Sequence, residues 1–582
     1  MISSNEFEKL LKRVEKPARY IGGELNEIKK STDKCRLRFG FAFPDIYEIG
    51  MSYLGLQILY HCLNKEEGVC CERLFAPGAD MEALMRERGF PLCTLETKTP
   101  AGELDIIGFT LQYELSYTNI LNMLSLSGIP FLSKDRDERH PLIIGGGPCA
   151  FNPEPLAGIF DLFIIGDGEE AAVKLCGAYK ESKDCGEKKE SFLKKACELE
   201  GVYVPGFYEP VYNDNGEIAE IKKLYGGAPD KVKKCMIRNI DDLEFPVKHI
   251  VPLTEAVHNR AVVEAFRGCG RGCRFCQAGM IYRPVRERSL DNLISLSKAT
   301  LDATGHEELS LLSLSTSDYS KIEELVTRLT EICSKDNVSL SLPSLRLDSF
   351  SKKAAAEIGG YKKSGLTFAP EAGTQRLRDV INKNITDENI YRSIEEAISL
   401  GWKSVKLYFM IGLPRETYED LDGIVKIVEN ILDLHGKRRI KLTVSVSNFI
   451  PKPHTPFQWE AQNSKNEFME KHDYLKNKIR KKGVAFNYHD SDTSVIEAVF
   501  SRGCRRVTEA LIKAYEKGCK FDGWSEHFNY KLWEEAFSET GVDIDFYTTR
   551  KRSYDEIMPW DIIDSSITKE FLIRENERAG SV

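Results

Sequence analysis

The sequence predicts an α/β protein of three parts: a doubly wound domain over 35–205, a partial barrel of six βα units over 251–485, and an α+β domain over 486–582. Two patterns carry this prediction. In the first third, short apolar runs ending in glycine or a polar residue alternate with helical stretches. The same alternation resumes with greater regularity from about 255. Strands of that kind are parallel and covered by helices, with ligands at their carboxyl ends. A third observation, a cysteine cluster directly after the first barrel strand, falls at the end where a barrel does its chemistry.

The elements follow in order. Residues 1–34 read as a short helix and a connector. "CRLRFGFAFP" (35–44) is a strand, "YLGLQILYHCLN" (53–64) has helical periodicity, and "LDIIGFTLQ" (104–112), "PLIIGGGP" (141–148) and "DLFIIGDG" (161–168) are buried strands. The stretch 206–250, punctuated by "NDNGE" and "GGAPDKVKK", is a linker. Barrel strands are expected at 261–266, 309–315, 338–347, 366–370, 405–412 and 442–450, separated by amphipathic segments such as "YEDLDGIVKIVENILDL". The last hundred residues, rich in Trp, Tyr and Phe, form the appended domain. No internal repeat or low-complexity tract is present.

The chain has 582 residues, 42% hydrophobic and 29% charged, with a formal net charge of −8. That balance argues against wholesale wrapping of nucleic acid. No run of 18 apolar residues occurs, and "MISSNEFEKLLKRVEKP" lacks the apolar core of a signal peptide, so a cytoplasmic protein with no membrane partner is expected. In that compartment the 16 cysteines should be free thiols or metal ligands rather than disulfides. Most, such as Cys62 and Cys333, sit singly in apolar contexts, and the adjacent Cys70 and Cys71 also read as structural.

The exception is "RGCGRGCRFCQAG" (267–279), where Cys269, Cys273 and Cys276 have C-x3-C-x2-C spacing. A closed zinc site needs a fourth ligand, and His249 and His258 lack a finger-like spacing. A cubane [4Fe–4S] cluster held by three thiolates instead leaves one iron open. Glycines 268, 270 and 272 let the backbone fold tightly around such a cube. Arginines 267, 271, 274, 283, 286 and 288 make the segment basic. They read either as support for an anionic cluster or as a docking patch for a phosphate-bearing substrate such as RNA.

C-x3-C-x2-C with Phe275 before its last cysteine, opening a six-unit barrel, resembles the radical S-adenosylmethionine (SAM) superfamily. The resemblance implies that the open iron chelates the methionine amine and carboxylate of SAM. One electron then cleaves the sulfonium to give a 5′-deoxyadenosyl radical. Carried over by position, Phe275 and Glu371 in "TFAPEAGTQRLRDVINKN" become SAM contacts, as do Ile411 and Gly412 in "FMIGLPRET". Where the family often carries Gly-Gly-Glu this chain has "LSTSD", leaving Ser315 or Thr316 as the counterpart. Arg346 either pairs the SAM carboxylate or forms an ion pair with Asp348 or another carboxylate.

In the first domain, Asp45-Ile46-Tyr47-Glu48-Ile49-Gly50 resembles the D-x-H-x-x-G motif of cobalamin-binding domains, with tyrosine in place of the cobalt-ligating histidine. The resemblance implies a cobalamin-binding-like domain without that ligand. Asp45, Tyr47 and Gly50 stand at the motif, Gly145, Gly146 and Gly147 at the tail-binding turn, and Thr110 and Ser116 at the second strand end. The alternative is a domain that keeps the fold and has lost the cofactor.

The function expected is therefore reductive SAM cleavage at a [4Fe–4S] cluster. With cobalamin, methyl transfer to an unactivated carbon follows; without it, a modification driven by hydrogen abstraction. No residue is assigned a catalytic role. The implied partners are an electron donor such as flavodoxin or ferredoxin and an unknown substrate, either a small molecule or an RNA or protein met by the basic segment. The rival reading is an iron–sulfur or zinc module that binds RNA or a ribosomal partner without turnover.

Overall fold

A computed structural model describes residues 4–342, 366–434 and 441–582. The first domain is a six-stranded sheet of β1 (Leu37–Phe43), β2 (Val69–Phe75), β3 (Ile106–Thr110), β4 (Leu142–Gly146), β5 (Leu162–Ile164) and β6 (Val202–Tyr203), in the order β2-β1-β3-β4-β5-β6. The first five are parallel and β6 is antiparallel. The chain reverses its winding between β1 and β3, so the crevice that binds ligands in doubly wound folds opens at Phe43 and Thr110. Every side chain of β2 is buried despite Glu72 and Arg73. Arg73 donates to Glu96 at 2.6 Å and to Glu24 at 2.8 and 2.9 Å, and Glu24 comes from the segment read as a connector.

One expectation fails here. Cys35 and Cys70 form a disulfide with Cα atoms 5.6 Å apart, whereas the sequence suggested free thiols or metal ligands and no disulfide. Amides of Arg36 and Leu37 bond the Gly68 carbonyl, which draws the residues before β1 against the start of β2. That Cα separation suits a bridge.

The hairpin β7 (Tyr208–Tyr212) and β8 (Ile218–Lys223) and the short β9 (Val232–Lys233) lead to the barrel. Its first sheet is β10 (Ala261–Glu264), β13 (Glu308–Leu312) and β14 (Ser339–Ser341), all parallel. Between them, β11 (Phe266–Arg267) and β12 (Arg286–Glu287) pair antiparallel and close the base of the cysteine loop. The second sheet is β15 (Leu366–Glu371), β16 (Ser404–Ile411), β17 (Lys441–Asn448) and β18 (Val484–Tyr488), also parallel. Strands stand at all six anticipated places, although of the third only Ser339–Ser341 is strand and 343–347 lie outside the described residues; β18 extends the series. The alternation in β16 is plain: Val405, Leu407, Phe409 and Ile411 are buried, whereas Lys406, Tyr408 and Met410 are not fully so.

The C-terminal region is mostly helical and ends with β19 (Ile563–Asp564), which pairs with β9, and a helix at Lys569–Gly580. Its buried side chains, among them Ile496, Phe500, Val507, Trp533 and Phe537, belong to the same apolar cluster as the first sheet. Phe500 meets Tyr117 edge-on at 5.8 Å, and Asp522 accepts from Thr118 at 2.6 Å and from Trp533 at 3.0 Å. No helix of the described residues is long and apolar enough to cross a membrane.

Candidate functional site

The cysteine loop leaves β11 through Gly268, whose φ of +85° favours glycine. A Cβ there would stand 2.5 Å from the Pro284 carbonyl and 2.7 Å from that of Tyr282. Cys273 is buried; Cys269 and Cys276 are half-buried. The Gly279 amide donates to Cys276 Sγ at 3.3 Å. Burial, reinforced by the neighbouring Cys273 and Cys269, pushes the Cys276 thiol up to about 11. A cationic centre would reverse that, because thiolates crowded together are stabilised by the metal they share. Glycine amides and three thiols are the donor chemistry of an iron–sulfur cube, so the loop fits one. Among the described residues no group of three His, Cys, Asp or Glu is set to hold a single metal ion.

The loop is tied down from three sides. The Arg274 amide bonds Ile381 O at 3.0 Å, and its guanidinium donates to Val380 O at 2.7 Å, Asp379 O at 3.0 Å and Glu575 at 3.3 Å. Asn382 donates to Gly272 O at 2.9 Å. Arg271 pairs with Asp318 at 2.8 Å, and the same carboxylate accepts from Ser315 Oγ at 2.7 Å. Ser315 is thus linked to the cysteine loop through one shared acid, while Thr316 bonds Ser313 at 2.9 Å.

Glu371 sits at a break in the β15–β16 register and has φ of +68°, so an irregular strand end re-aims it. Lys383, which sequence reasoning passed over, donates to it at 3.1 Å. Phe275 is half-buried against an apolar cluster that includes Leu377, Val380 and Phe457. The Ile411 side chain is in the core, so only its backbone remains as a contact. Gly412 has φ of +75°, and its amide donates to Glu416 at 2.8 Å. Arg346 lies outside the described residues.

A cavity of about 420 Å³ runs along the first sheet and opens beside the cysteine loop. Thr110, Gly145, Gly146 and Gly147 line it, as do Phe39, Phe41 and Gly108 of the first sheet; on the barrel side it meets Gly268, Tyr282 and Leu312 to Leu314. Tyr53, Gln112, Asp167, Glu169, Glu264 and Arg267 also line it and were not anticipated. They converge from segments far apart, and no local spacing announces them. Burial pushes the Tyr53 phenol up to about 12. A long groove bounded by glycines and aromatic rings suits a bulky ligand with a tail, and no histidine is among its lining residues.

Four candidates go elsewhere. Tyr47 is buried and donates to Glu24 at 2.9 Å, Asp45 accepts from Trp524 Nε1 at 3.1 Å, and Ser116 donates to Tyr113 O at 2.7 Å. Gly50 is pressed against Phe75, 2.3 Å from where its Cβ would be. The D-x-Y-x-x-G segment therefore packs the domain against its neighbours instead of lining the cavity.

The docking-patch reading of the basic segment is also corrected. Arg267 donates to Glu264 at 2.7 Å and pairs with Asp167 and Glu169; Arg286 pairs with Asp167 and donates to Ile237 O at 2.7 Å. Arg288 is buried over the Phe245 ring at 5.3 Å. With Arg271 and Arg274 paired as described, only Arg283 and Arg288 have no carboxylate partner among the described residues, and Arg288 donates to Ile240 O. The arginines bind the loop to the rest of the molecule.

Lys452, after β17, bridges to Glu114 at 2.8 Å and Glu497 at 2.9 Å, which joins the barrel, the first domain and the C-terminal region. His454 beside it is buried and bonds Phe151 O at 2.9 Å. Burial holds His454 near 4, as it does His249 and His472. The unfolded chain binds protons at these positions below about pH 6.5, whereas the folded chain does not until about pH 4. Stability is therefore expected to fall as pH drops through that window, by roughly 3 kcal/mol for His454 alone. Urea unfolding at stepped pH checks this, and His454→Gln should flatten the slope.

Two family models match the chain: "Radical SAM proteins, N-terminal" over residues 55–205 and "Radical SAM superfamily" over residues 263–428. Uncharacterized protein MJ0966 of Methanocaldococcus jannaschii is 28% identical over 506 residues, 84% of this chain and 97% of that one. Uncharacterized protein MJ1620 of the same organism is 21% identical over 411 residues, 62% and 72% of the two chains. Among solved structures, the radical SAM methyltransferase TsrM from Kitasatospora setae with cobalamin and a [4Fe–4S] cluster bound superposes with a TM-score of 0.50 at 14% identity. The match covers 73% of this chain and 77% of that one. The same enzyme with tryptophan and aza-SAM gives 0.50 at 13%, covering 72% and 75%. At these identities the likeness is one of fold.

Proposed function

The chain belongs to the radical SAM superfamily, and from that premise we propose that it is a cobalamin-dependent radical SAM methyltransferase acting on an unactivated carbon. The observation that carries this reading is the continuity of the 420 Å³ cavity with the cysteine loop through Gly268 and Tyr282. A corrinoid in that groove and SAM on the barrel rim would then share one enclosed space. When bound, the cluster and SAM supply one-electron cleavage of the sulfonium, and the corrinoid supplies a transferable methyl group.

The chain's own residues bind, orient and exclude water. Cys269, Cys273 and Cys276 hold the cluster. Arg271, Arg274 and Asn382 fix the loop that carries them. Glu371, braced by Lys383, and Ser315, braced by Asp318, are oriented to hydrogen-bond the polar groups of SAM. The groove from Phe39 to Gly147 takes the corrinoid tail, and the Lys452 bridge keeps the two domains closed over the reacting atoms.

The test is anaerobic reconstitution with iron, sulfide and hydroxocobalamin, followed by SAM and dithionite. Release of 5′-deoxyadenosine together with a retained corrin absorbance is expected. Zinc in place of iron, or an iron-loaded protein that retains no corrin, would overturn the enzyme reading or its cobalamin branch respectively. A binding module without turnover is disfavoured, because five of the six arginines it would need are already engaged within the chain.

A further inference from the structure

We propose that Lys406 and Tyr408, on the inner face of the second barrel sheet, hold the substrate by an oxyanion, so that the molecule acted on is a small carboxylate or phosphate. The inference rests on the function proposed above and names its substrate class. The two faces of this sheet differ in kind. Val405, Leu407 and Phe409 of β16 pack with Val444 and Val446 of β17 against the helices that connect the strands. Lys406, Tyr408 and Met410 alternate with them and face the barrel interior. Pairing sets Thr367 and Thr443 beside Lys406, and Ser445 beside Tyr408.

Lys406 is what distinguishes this face. Its ammonium lies 4.5 Å from the Tyr408 ring centroid, and among the described residues no carboxylate pairs with it. Lys441, exposed at the start of β17, is a second cation on the same face with no carboxylate partner among the described residues. Among the described strand residues of this face the one carboxylate, Glu371, is already held by Lys383. Nor do the hydroxyls of Thr367, Thr443 and Ser445 bond another described residue. The interior of a closed barrel is filled by bulky branched side chains that need no ligand. Here a cation and three hydroxyls stand in their place, with their polar groups unsatisfied by the described chain.

On a chain of net charge −8, that local surplus of positive charge is complementary to an anion. An ammonium is a point charge suited to phosphate or carboxylate, and neighbouring hydroxyls donate to the remaining oxygens. The Tyr408 ring, 37% exposed, gives the rest of the molecule an apolar face. Lys406 lies five residues before Ile411, roughly 16 Å along the strand. An oxyanion held there leaves a small molecule to extend over Tyr408 toward Glu371, Gly412 and the cysteine loop. The anchor stands within the barrel and not at its rim, which favours a small molecule over a folded macromolecule.

The test is titration calorimetry on the reconstituted full chain, without reductant, using phenyl phosphate, benzoate, benzyl alcohol and benzylamine as probes. Phenyl phosphate or benzoate should bind, and the tighter of the two identifies the oxyanion. The neutral and cationic probes should bind at least about tenfold more weakly. Lys406→Met should weaken the anionic probes at least about tenfold, whereas Lys406→Arg, which keeps the charge, should cost no more than about threefold. Tyr408→Leu should weaken phenyl phosphate about threefold. The ranking of the four probes on the wild type judges the charge preference without any variant. Equal affinity of wild type and Lys406→Met for the anions overturns the proposal, as does tighter binding of benzylamine or no binding of any probe. A protein that takes up no iron or does not cleave SAM would sink the proposed function instead, while the binding arm still judges this site.

Discussion

Anaerobically reconstituted Cys273→Ala is expected to lose its visible iron–sulfur absorbance and to make at least about 100-fold less 5′-deoxyadenosine than wild type. Cys273 is the buried member of the three, so its loss cannot be made good by water or by a neighbouring surface ligand. The loop should otherwise stay in place. The Arg274 contacts with Ile381, Val380 and Asp379 and the Asn382 contact with Gly272 do not involve the thiol. A small change in melting temperature with total loss of cluster is therefore the predicted signature. Cys333→Ala is the control: that thiol is buried in a separate apolar cluster and should leave iron content untouched. Equal iron in wild type and Cys273→Ala would show that the three thiols are not its ligands.

The cysteine site was legible because its ligands lie within eight consecutive residues, and the spacing that marks them survives in one dimension. The parallel strands were legible for a similar reason, since each is a local apolar run. What resisted reading was assembled at a distance. β2 escaped notice because Glu72 and Arg73 interrupt its apolar pattern; the partners of Arg73, Glu96 and Glu24, lie 23 and 49 residues away. The same Glu24 captures Tyr47 and removes it from the role its motif suggested.

Charge misled for the same reason. Six arginines within 22 residues look like a patch when their partners cannot be seen. Asp318 is 47 residues from Arg271, Asp167 is 119 from Arg286, and Glu575 is 301 from Arg274. An ion pair has no sequence signature when its halves meet only after folding. The cavity is the extreme case, with walls drawn from eight separate segments of both domains. Only Thr110 and its glycines, which are needed where a ligand or backbone comes close, had left a local trace.

Those glycines allow cofactor binding to be separated from folding. Gly146 has ordinary strand geometry, and a Cβ added there would meet only the Ile164 carbonyl, at 3.5 Å. A larger side chain at this position therefore extends into the cavity without displacing protein atoms. Gly145, one residue earlier, points the other way: its Cβ would fall 2.9 to 3.1 Å from Phe163, Leu111 and Phe160. Gly146→Leu is expected to keep wild-type stability and iron content while its bound corrin falls at least about tenfold, because the groove is filled where the tail must pass. Gly145→Leu should do the reverse in kind, costing about 1–3 kcal/mol through overpacking of the core. Its corrin content should follow only the fraction that remains folded. Corrin absorbance per folded protein, with iron assayed on the same samples, distinguishes the two. A Gly146→Leu protein that retains stoichiometric corrin would mean the cofactor lies elsewhere. Loss of corrin with undiminished SAM cleavage by dithionite would leave the barrel chemistry standing and show that its electron and methyl sources are housed separately.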